Sequence, residues 1–577
     1  MKVFWPQCPP PPSGVGFVAA ANIRGTCDIV WSCLTVVLLC TWAVQHPNVP
    51  IETTPHRTRQ RIYRQIYLLM RRLWFFSVAF FAPELLTGKA TMSLFSALQN
   101  RKQMEDLAEN DQVEWTLSHS FLANMGGFAI EFENEATTAL DTAETTIAPR
   151  ETALTEQRAQ PSRRSEGYSL GAKAIATPTD QLGGRYPSAG SGTSGPILLS
   201  RLSQTPRQLE DQGTEQGNTP LVKPASRGQS TDEKIDENTE ELREKYASLL
   251  KSHSDKLGPF LPLPLSIIGE TRWQRSDRNV ALVEEALKSV RSSDLGHHSW
   301  EGYYQNIIVL RGNIWILDGC QLRFARQKGI IKKLPEVAEA QIKDKSKGDA
   351  IVKTLAIIQV LWLAIQLTLR KTEDLPATQL EIMTLAFAAC SSVTYLLNWY
   401  KPQSVATRIY KVADKYPEAQ DVAKLGCLGP TVIWFRRGIG SLGNDAVHYP
   451  DLKESLRPFI MASLMVAVLF GSVHLLAWNF QFPTTGEQLG WRIASILLIV
   501  IPTPVLILSM HVFGLERGYP GQSRRLAITV QSIIVIGLEV LYILARIFIF
   551  AEVTRSLFFL PSEAFVATEL WNAPHLG

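Results

Sequence analysis

Leu526 to Ala551 reads LAITVQSIIVIGLEVLYILARIFIFA, a run broken only by the charges of Glu539 and Arg546. A hydrocarbon core about 30 Å thick is crossed by roughly 20 helical residues rising about 1.5 Å each. The run is therefore long and apolar enough to span a bilayer. Runs of the same kind recur at Ile29–Ile51, Ile382–Tyr400, Pro458–Phe480 and Ile493–Leu515. A further run, Ile351–Leu369, requires Lys353 to snorkel to the interface. Two shorter stretches, Leu73–Leu86 and Leu117–Ile130, suit interfacial or re-entrant segments better than spans.

The whole chain has 577 residues, 45% hydrophobic and 19% charged, with 58 Lys and Arg against 54 Asp and Glu. Soluble domains carry about a quarter charged residues, and here the deficit is concentrated in the apolar runs. The expected fold class is all-α, a polytopic helical membrane protein with six transmembrane helices, two short re-entrant or interfacial segments and a long disordered cytosolic insert.

Lys and Arg gather on the cytosolic side of short loops. Arg57 to Arg72, Lys343 to Lys353, Lys401 to Arg457 and Arg517 to Arg525 all fall on one side of a six-span arrangement. The 481–490 loop, on the other side, has no Lys or Arg before Arg492. Both termini are then extracytosolic, and Pro9 to Pro12 argue against a signal peptide. The implied organisation is an extracytosolic N-terminus at 1–27, a first transmembrane helix at 28–51 and a basic, interfacial segment at 52–133. A disordered linker follows at 134–230, then a cytosolic helical and juxtamembrane segment at 231–350. A five-helix membrane domain at 351–551 and an extracytosolic tail at 552–577 complete the chain. The expected location is the plasma membrane or an endomembrane.

The linker is rich in Ser, Thr, Pro, Gly and Gln and cannot bury enough apolar area to order itself. Gly190, Gly192 and Gly195 match GxGxxG there without the strand and helix that give the motif meaning. Thr177, Thr205 and Thr219 before proline, and Ser165 after Arg163 and Arg164, are possible kinase sites that arise by chance in such a loop. Helices are expected at 232–251 and 279–291, and Tyr303–Leu317 reads as an apolar segment folded against the membrane domain.

The seven cysteines, Cys8, Cys27, Cys33, Cys40, Cys320, Cys390 and Cys427, form no CxxC pair or zinc-type spacing. Asn-x-Ser/Thr acceptors are absent. No Walker loop, Gly-x-Ser-x-Gly elbow or HExxH occurs. Glu105, Asp106 and Glu109 resemble a diphosphate-metal motif, and Asn444 with Asp445 its partner, but neither is complete and a solvated acidic helix face accounts for the first. Pro502 and Pro504 predict a kink in the fifth span. No cofactor or metal is implied.

Two groups of residues stand out. Glu539 sits near mid-membrane, where an unpaired charge is costly; helix counting places His474 and Gln366 at a similar depth. The three are expected to meet inside the bundle, as glue between helices first and as a proton relay or substrate site second. Arg323, Arg326, Lys328, Lys332, Lys333, Lys343, Lys345 and Lys347 precede a span and are candidates for anionic lipid contact. The bilayer and anionic headgroups are thus the partners implied, with no nucleic acid.

The stretch Arg24-Gly25-Thr26, Asp28 to Cys33, Cys40-Thr41-Trp42 and His46 to Pro50 resembles the opening of a family of uncharacterised polytopic integral membrane proteins of filamentous fungi. Ala82-Pro83-Glu84, Met125 to Phe128, Asn313-Ile314-Trp315, Ile342 to Ala350, Tyr400-Lys401-Pro402 and Trp571 to His575 extend the likeness, which skips the linker. It implies a membrane fold and supplies no activity. The function expected is a multi-pass integral membrane protein of unknown activity, non-enzymatic, with a transport, sensing or scaffold role. The alternative is an intramembrane enzyme acting on a lipid or isoprenoid.

Overall fold

The computed structural model describes residues 24–132, 240–249, 265–295, 299–432, 440–444, 446–448, 452–516 and 522–568. The expected disordered linker with its glycine pattern and kinase sites, residues 1–23, Asp445 and the Trp571–His575 motif lie outside them. The protein is mostly helical, an all-α polytopic membrane fold with six helices among the described residues long and apolar enough to cross a bilayer.

The first apolar helix, α1 (Thr26–Ala43), ends earlier than the apolar run suggests. Pro47 and Pro50 cannot continue a helix, and the chain leaves it extended, with Val49 N–H donating to Met125 O. α2 (Thr58–Phe81) and α3 (Pro83–Asp111) follow, meeting at a bend of 111°. Pro83 supplies the break, since it has no N–H to give α2 and its fixed φ suits the first position of α3.

The polar part of this mostly helical protein is a domain of helices around a small mixed sheet, called here the α/β domain, drawn from segments far apart in sequence. It contains α4 (Leu117–Asn124), β1 (Phe128–Glu131), α5 (Asp277–Ser289), α6 (Trp300–Ile307), β2 (Ile314–Leu317), α7 (Gly319–Gln327) and α8 (Glu339–Asp344). β1 pairs antiparallel with β2, Phe128 opposite Leu317 and Glu131 opposite Ile314. On its other edge β1 runs parallel to β3 (Ile409–Val412), and α11 (Ala419–Leu428) packs against α5 and α6. Leu122, Met125, Phe128, Ile130, Tyr303, Ile307, Leu310, Trp315 and Leu317 share one core.

That core corrects two expectations. Leu117–Ile130 is neither interfacial nor re-entrant, and Tyr303–Leu317 is more than a strip lying on the membrane domain. Each apolar run is too short to span and is buried instead between strands and helices of the domain. The sheet takes one strand each from the segments 52–133, 231–350 and 351–551, so part of the expected membrane domain at 351–551 belongs to this domain.

The remaining apolar helices are α9 (Lys347–Thr372), α10 (Gln379–Leu397), α12 (Leu452–His474), α13 (Thr485–Val500) with α14 (Pro502–Glu516), and α15 (Gln522–Ser556). Pro502 separates α13 from α14 within one span, Thr485–Ser509. Both ends of the α2–α3 hairpin reach the same domain. Near the start of α2, Gln60 donates to Ser266 O and Tyr67 packs on a cluster containing Ala129 and Ile316; near the end of α3, Met104 and Ala108 join the domain core. The hairpin therefore returns to the face it left and keeps the parity of six spans.

On the opposite face, Arg24 is buried against Glu381. Arg370 there donates to the carbonyls of Pro376, Val566 and Ala564. The start of α1, the α9–α10 turn and the 562–568 tail are thereby tied together.

Candidate functional site

The hairpin tip lies inside the bundle, and its bend creates polar ends that lipid cannot satisfy. The last carbonyls of α2 and the first turn of α3 both lack intrahelical partners there. Arg546 of α15 answers the first: its Nη1 donates to Phe80 O at 3.3 Å. Glu84 sits in the first turn of α3, where the helix dipole favours a carboxylate.

The two charges also meet each other. Arg546 Nη2 lies 2.9 Å from Glu84 Oε2, and Tyr542 donates its hydroxyl to Glu84 Oε1 at 2.7 Å. The same Tyr542 oxygen accepts from Arg546 Nη2 at 2.6 Å. Both charged side chains are almost wholly buried, and the guanidinium stands 4.2 Å from the Phe470 ring centroid. Phe80 stacks on Phe387 and meets Phe550 edge-on, closing the site with aromatic rings. Arg546 is ten residues before the end of α15 at Ser556, roughly 15 Å of helix.

Below the tip, Thr87 shares a 2.7 Å hydrogen bond with Thr394 of α10. Gly88 allows α3 to touch α12, since a Cβ at this position would lie 2.1 Å from Ser463 Oγ and 2.8 Å from Phe459.

The expected cluster of Glu539, His474 and Gln366 does not form. His474 is fully buried, its Nδ1 facing Phe470 O at 2.7 Å and its Nε2 without a partner. Gln366 accepts from Thr568 Oγ1 through Oε1, and its Nε2 is likewise unpartnered. Glu539 is exposed. Along α15, Leu526, Ile533, Ile536 and Leu544 are all open on the surface. Depth alone sets Glu539 level with His474 and Gln366, but its face of α15, shared with Ile536 and Ile543, points outward. The intramembrane charge is instead handled one heptad along by Arg546, which is buried rather than snorkelling. The Ala82-Pro83-Glu84 sequence carried the missing signal: an acid directly after a proline break inside an apolar stretch.

Most of the eight juxtamembrane cations face acids of the domain itself. Arg326 grips Asp111 with two nitrogens. Lys328 reaches Asp421 at 3.0 Å, Lys333 Glu336 at 3.2 Å, Lys343 Glu339 at 3.5 Å and Lys332 Asp414 at 3.9 Å. Lys345 donates to Thr407 Oγ1. Arg323 is half-buried with Nε unpartnered, and the Lys347 side chain lies outside the described residues. The Arg326 guanidinium, helped by Leu334 N–H, holds the Asp111 carboxyl below the usual carboxylate range against the opposing effect of burial.

A second buried polar cluster joins the hairpin to the domain. His448 Nδ1 lies 3.0 Å from Asp318 Oδ2, while Asp318 also caps α7 by accepting from Gln321 N–H. Ser96 of α3 donates to the His448 carbonyl, not to its ring, and accepts from Asn124. The cluster therefore resembles an Asp–His pair, with no serine or cysteine bonded to the His448 ring among the described residues. Glu105, Asp106 and Glu109 are exposed. No group of three or more metal-binding side chains occurs among the described residues.

No curated protein and no solved structure matches the chain. Residues 5–154 and 324–418 match a family of unknown function (DUF8562), so the hairpin, the first strand, α9 and α10 lie in the part that is similar to that family, and Arg546 lies outside it.

Proposed function

We propose that this multi-pass membrane protein is non-enzymatic and that its hairpin carries a change of state between the α/β domain and the bundle, as in a transporter or sensor. One observation carries the reading. α3 is a single helix of 29 residues, roughly 44 Å long. Its first turn holds Glu84 on Arg546, and its last residue, Asp111, holds Arg326. A shift of the domain against the bundle must strain one contact or move the tip. Hydrogen exchange on full-length protein in nanodiscs tests this, with Asp111→Asn loosening the domain end. Faster exchange is expected at 80–90 as well as at 105–111; an effect confined to the domain end would end the proposal.

The Asp318–His448 pair favours the alternative, an enzyme acting on a lipid or isoprenoid. Its test is product formation from membrane lipid extract that disappears in His448→Ala. The protein is further proposed to belong to the polytopic fungal family it resembles and to reside in the plasma membrane or an endomembrane.

A further inference from the structure

Three apolar helices end close together on the domain side of the bundle. Ala43 and Val44 at the end of α1, Ala356 near the start of α9 and Tyr395 near the end of α10 form one buried cluster, with Leu86 of α3 packed on it. Each element carries a basic group just beyond that cluster: His46, Lys353, Lys401 and Lys89. Trp42, Trp399 and Tyr400 are exposed on the same side. Exposed Trp and Tyr at the ends of membrane helices mark the headgroup level.

The charge balance here is unusual. Nearby cations have partners: Arg71 donates to Asn48 O and Asn444, and Arg408 to Gly126 O and Val49 O with Glu52 beside it. Lys401 is 5% exposed, and its ammonium has no hydrogen-bond or acidic partner among the described residues. Burial, with Lys89 adding repulsion, pushes it down to about 7. His46 gives its Nδ1 to Val44 O and leaves Nε2 buried without a partner. Burial, then Lys353 and Lys401, push its ring down to about 3. A lysine that only fixed orientation would sit in water, where its charge is cheap. A lysine whose side chain is buried and whose ammonium has no counter-charge is costly.

We propose that Lys401, Lys353, Lys89 and His46 form a site for a phosphate group at the headgroup level of the domain-side leaflet. A phosphate carries the charge that Lys401 lacks beside it, its oxygens accept from lysine ammonium groups, and the P–OH of its singly ionised form donates to the free Nε2 of His46. A phospholipid headgroup and a soluble phosphate compound share this chemistry, and the aromatic residues around the site favour the headgroup.

The test uses detergent-purified full-length protein titrated with dioctanoyl phosphatidic acid, dioctanoyl phosphatidylcholine or inorganic phosphate. Readouts are thermal unfolding, which rises when a ligand binds the folded state, and native mass spectrometry. Phosphatidic acid is expected to bind one-to-one and raise Tm. Lys401→Met should weaken that binding at least tenfold while raising the Tm of the unliganded protein. A purely structural lysine would give the opposite sign in Tm. Lys401→Arg should retain binding, and the half-buried Lys89→Met should weaken it if Lys401→Met does not fold. Tighter binding of phosphatidic acid than of inorganic phosphate supports the headgroup as source, and equal binding supports a soluble phosphate. The proposal is overturned if neither binds, if phosphatidylcholine binds equally well, or if the lysine variants leave affinity unchanged.

Discussion

Arg546 and Glu84 are 462 residues apart in sequence and 2.9 Å apart in the bundle. The contact joins the tip of the re-entrant hairpin to the last membrane helix. Removing one partner leaves the other charge buried, which costs about 3–5 kcal/mol in protein interiors. Arg546→Met alone should therefore destabilise strongly, and Glu84→Gln alone somewhat less, because the amide can still bond Tyr542. The double variant should recover much of the loss. Unfolding titrations of all four proteins check this, and strictly additive losses would show that the two side chains do not depend on each other.

At Gly88, α3 lies close against α12. Gly88→Ala should cost about 1–3 kcal/mol, the usual range for overpacking a tight contact. Ser463→Gly in the same chain should return part of it, because the nearest clash is with Ser463 Oγ. Full restoration is not expected, since the Phe459 ring also stands in the way. The same unfolding titrations serve, and an unaffected Gly88→Ala protein would mean that the helices separate freely.

Asp111 governs how the domain responds to acid. Its carboxyl is held below the usual range by Arg326, so the contribution is present above the unfolded carboxylate pKa, about 3.9, and is lost as pH falls through the lower folded value. Asp111→Asn should cost about 1.5–3 kcal/mol near neutral pH, the range for hydrogen bonds to a charged group. The gap between variant and parent should close at strongly acidic pH. A gap unchanged down to pH 2 would place the effect elsewhere.

The membrane helices were legible because the bilayer imposes one length and one polarity on each span. Pro502 likewise gave the break in the fifth span. The hairpin was partly legible, since Leu73–Leu86 is too short to cross alone. The α/β domain was not, because its sheet joins Phe128, Leu317 and Ile409, and short apolar runs do not say which distant run covers them. The polar cluster was misread for a related reason. Depth puts Glu539 level with His474 and Gln366, but depth does not say which face of α15 packs on its neighbours, and the face with Ile536, Glu539 and Ile543 is the exposed one.

Orientation across the membrane is the last expectation, and the structure sharpens the charge argument for it. Arginines on the face away from the domain are engaged by the protein: Arg24 with Glu381, Arg370 with four carbonyls, Arg492 with Trp478 O and Arg555 with Glu487. Held cations offer little to a charged leaflet. On the domain side, Arg59, Arg61 and Arg64 along α2 and Lys401 below α10 have no acidic partner among the described residues. That surplus predicts a cytosolic domain and an extracytosolic 478–484 turn. The chain contains no Asn-x-Ser/Thr acceptor, so introduced ones give an unambiguous signal. An acceptor cassette with flexible spacers inserted after Phe482 should be glycosylated when the protein is made through the endoplasmic reticulum. Pro220→Thr, which turns Asn218 into an acceptor in the polar insert, should not be. Glycosylation of the second and not the first would reverse the orientation and move the phosphate site to the opposite leaflet.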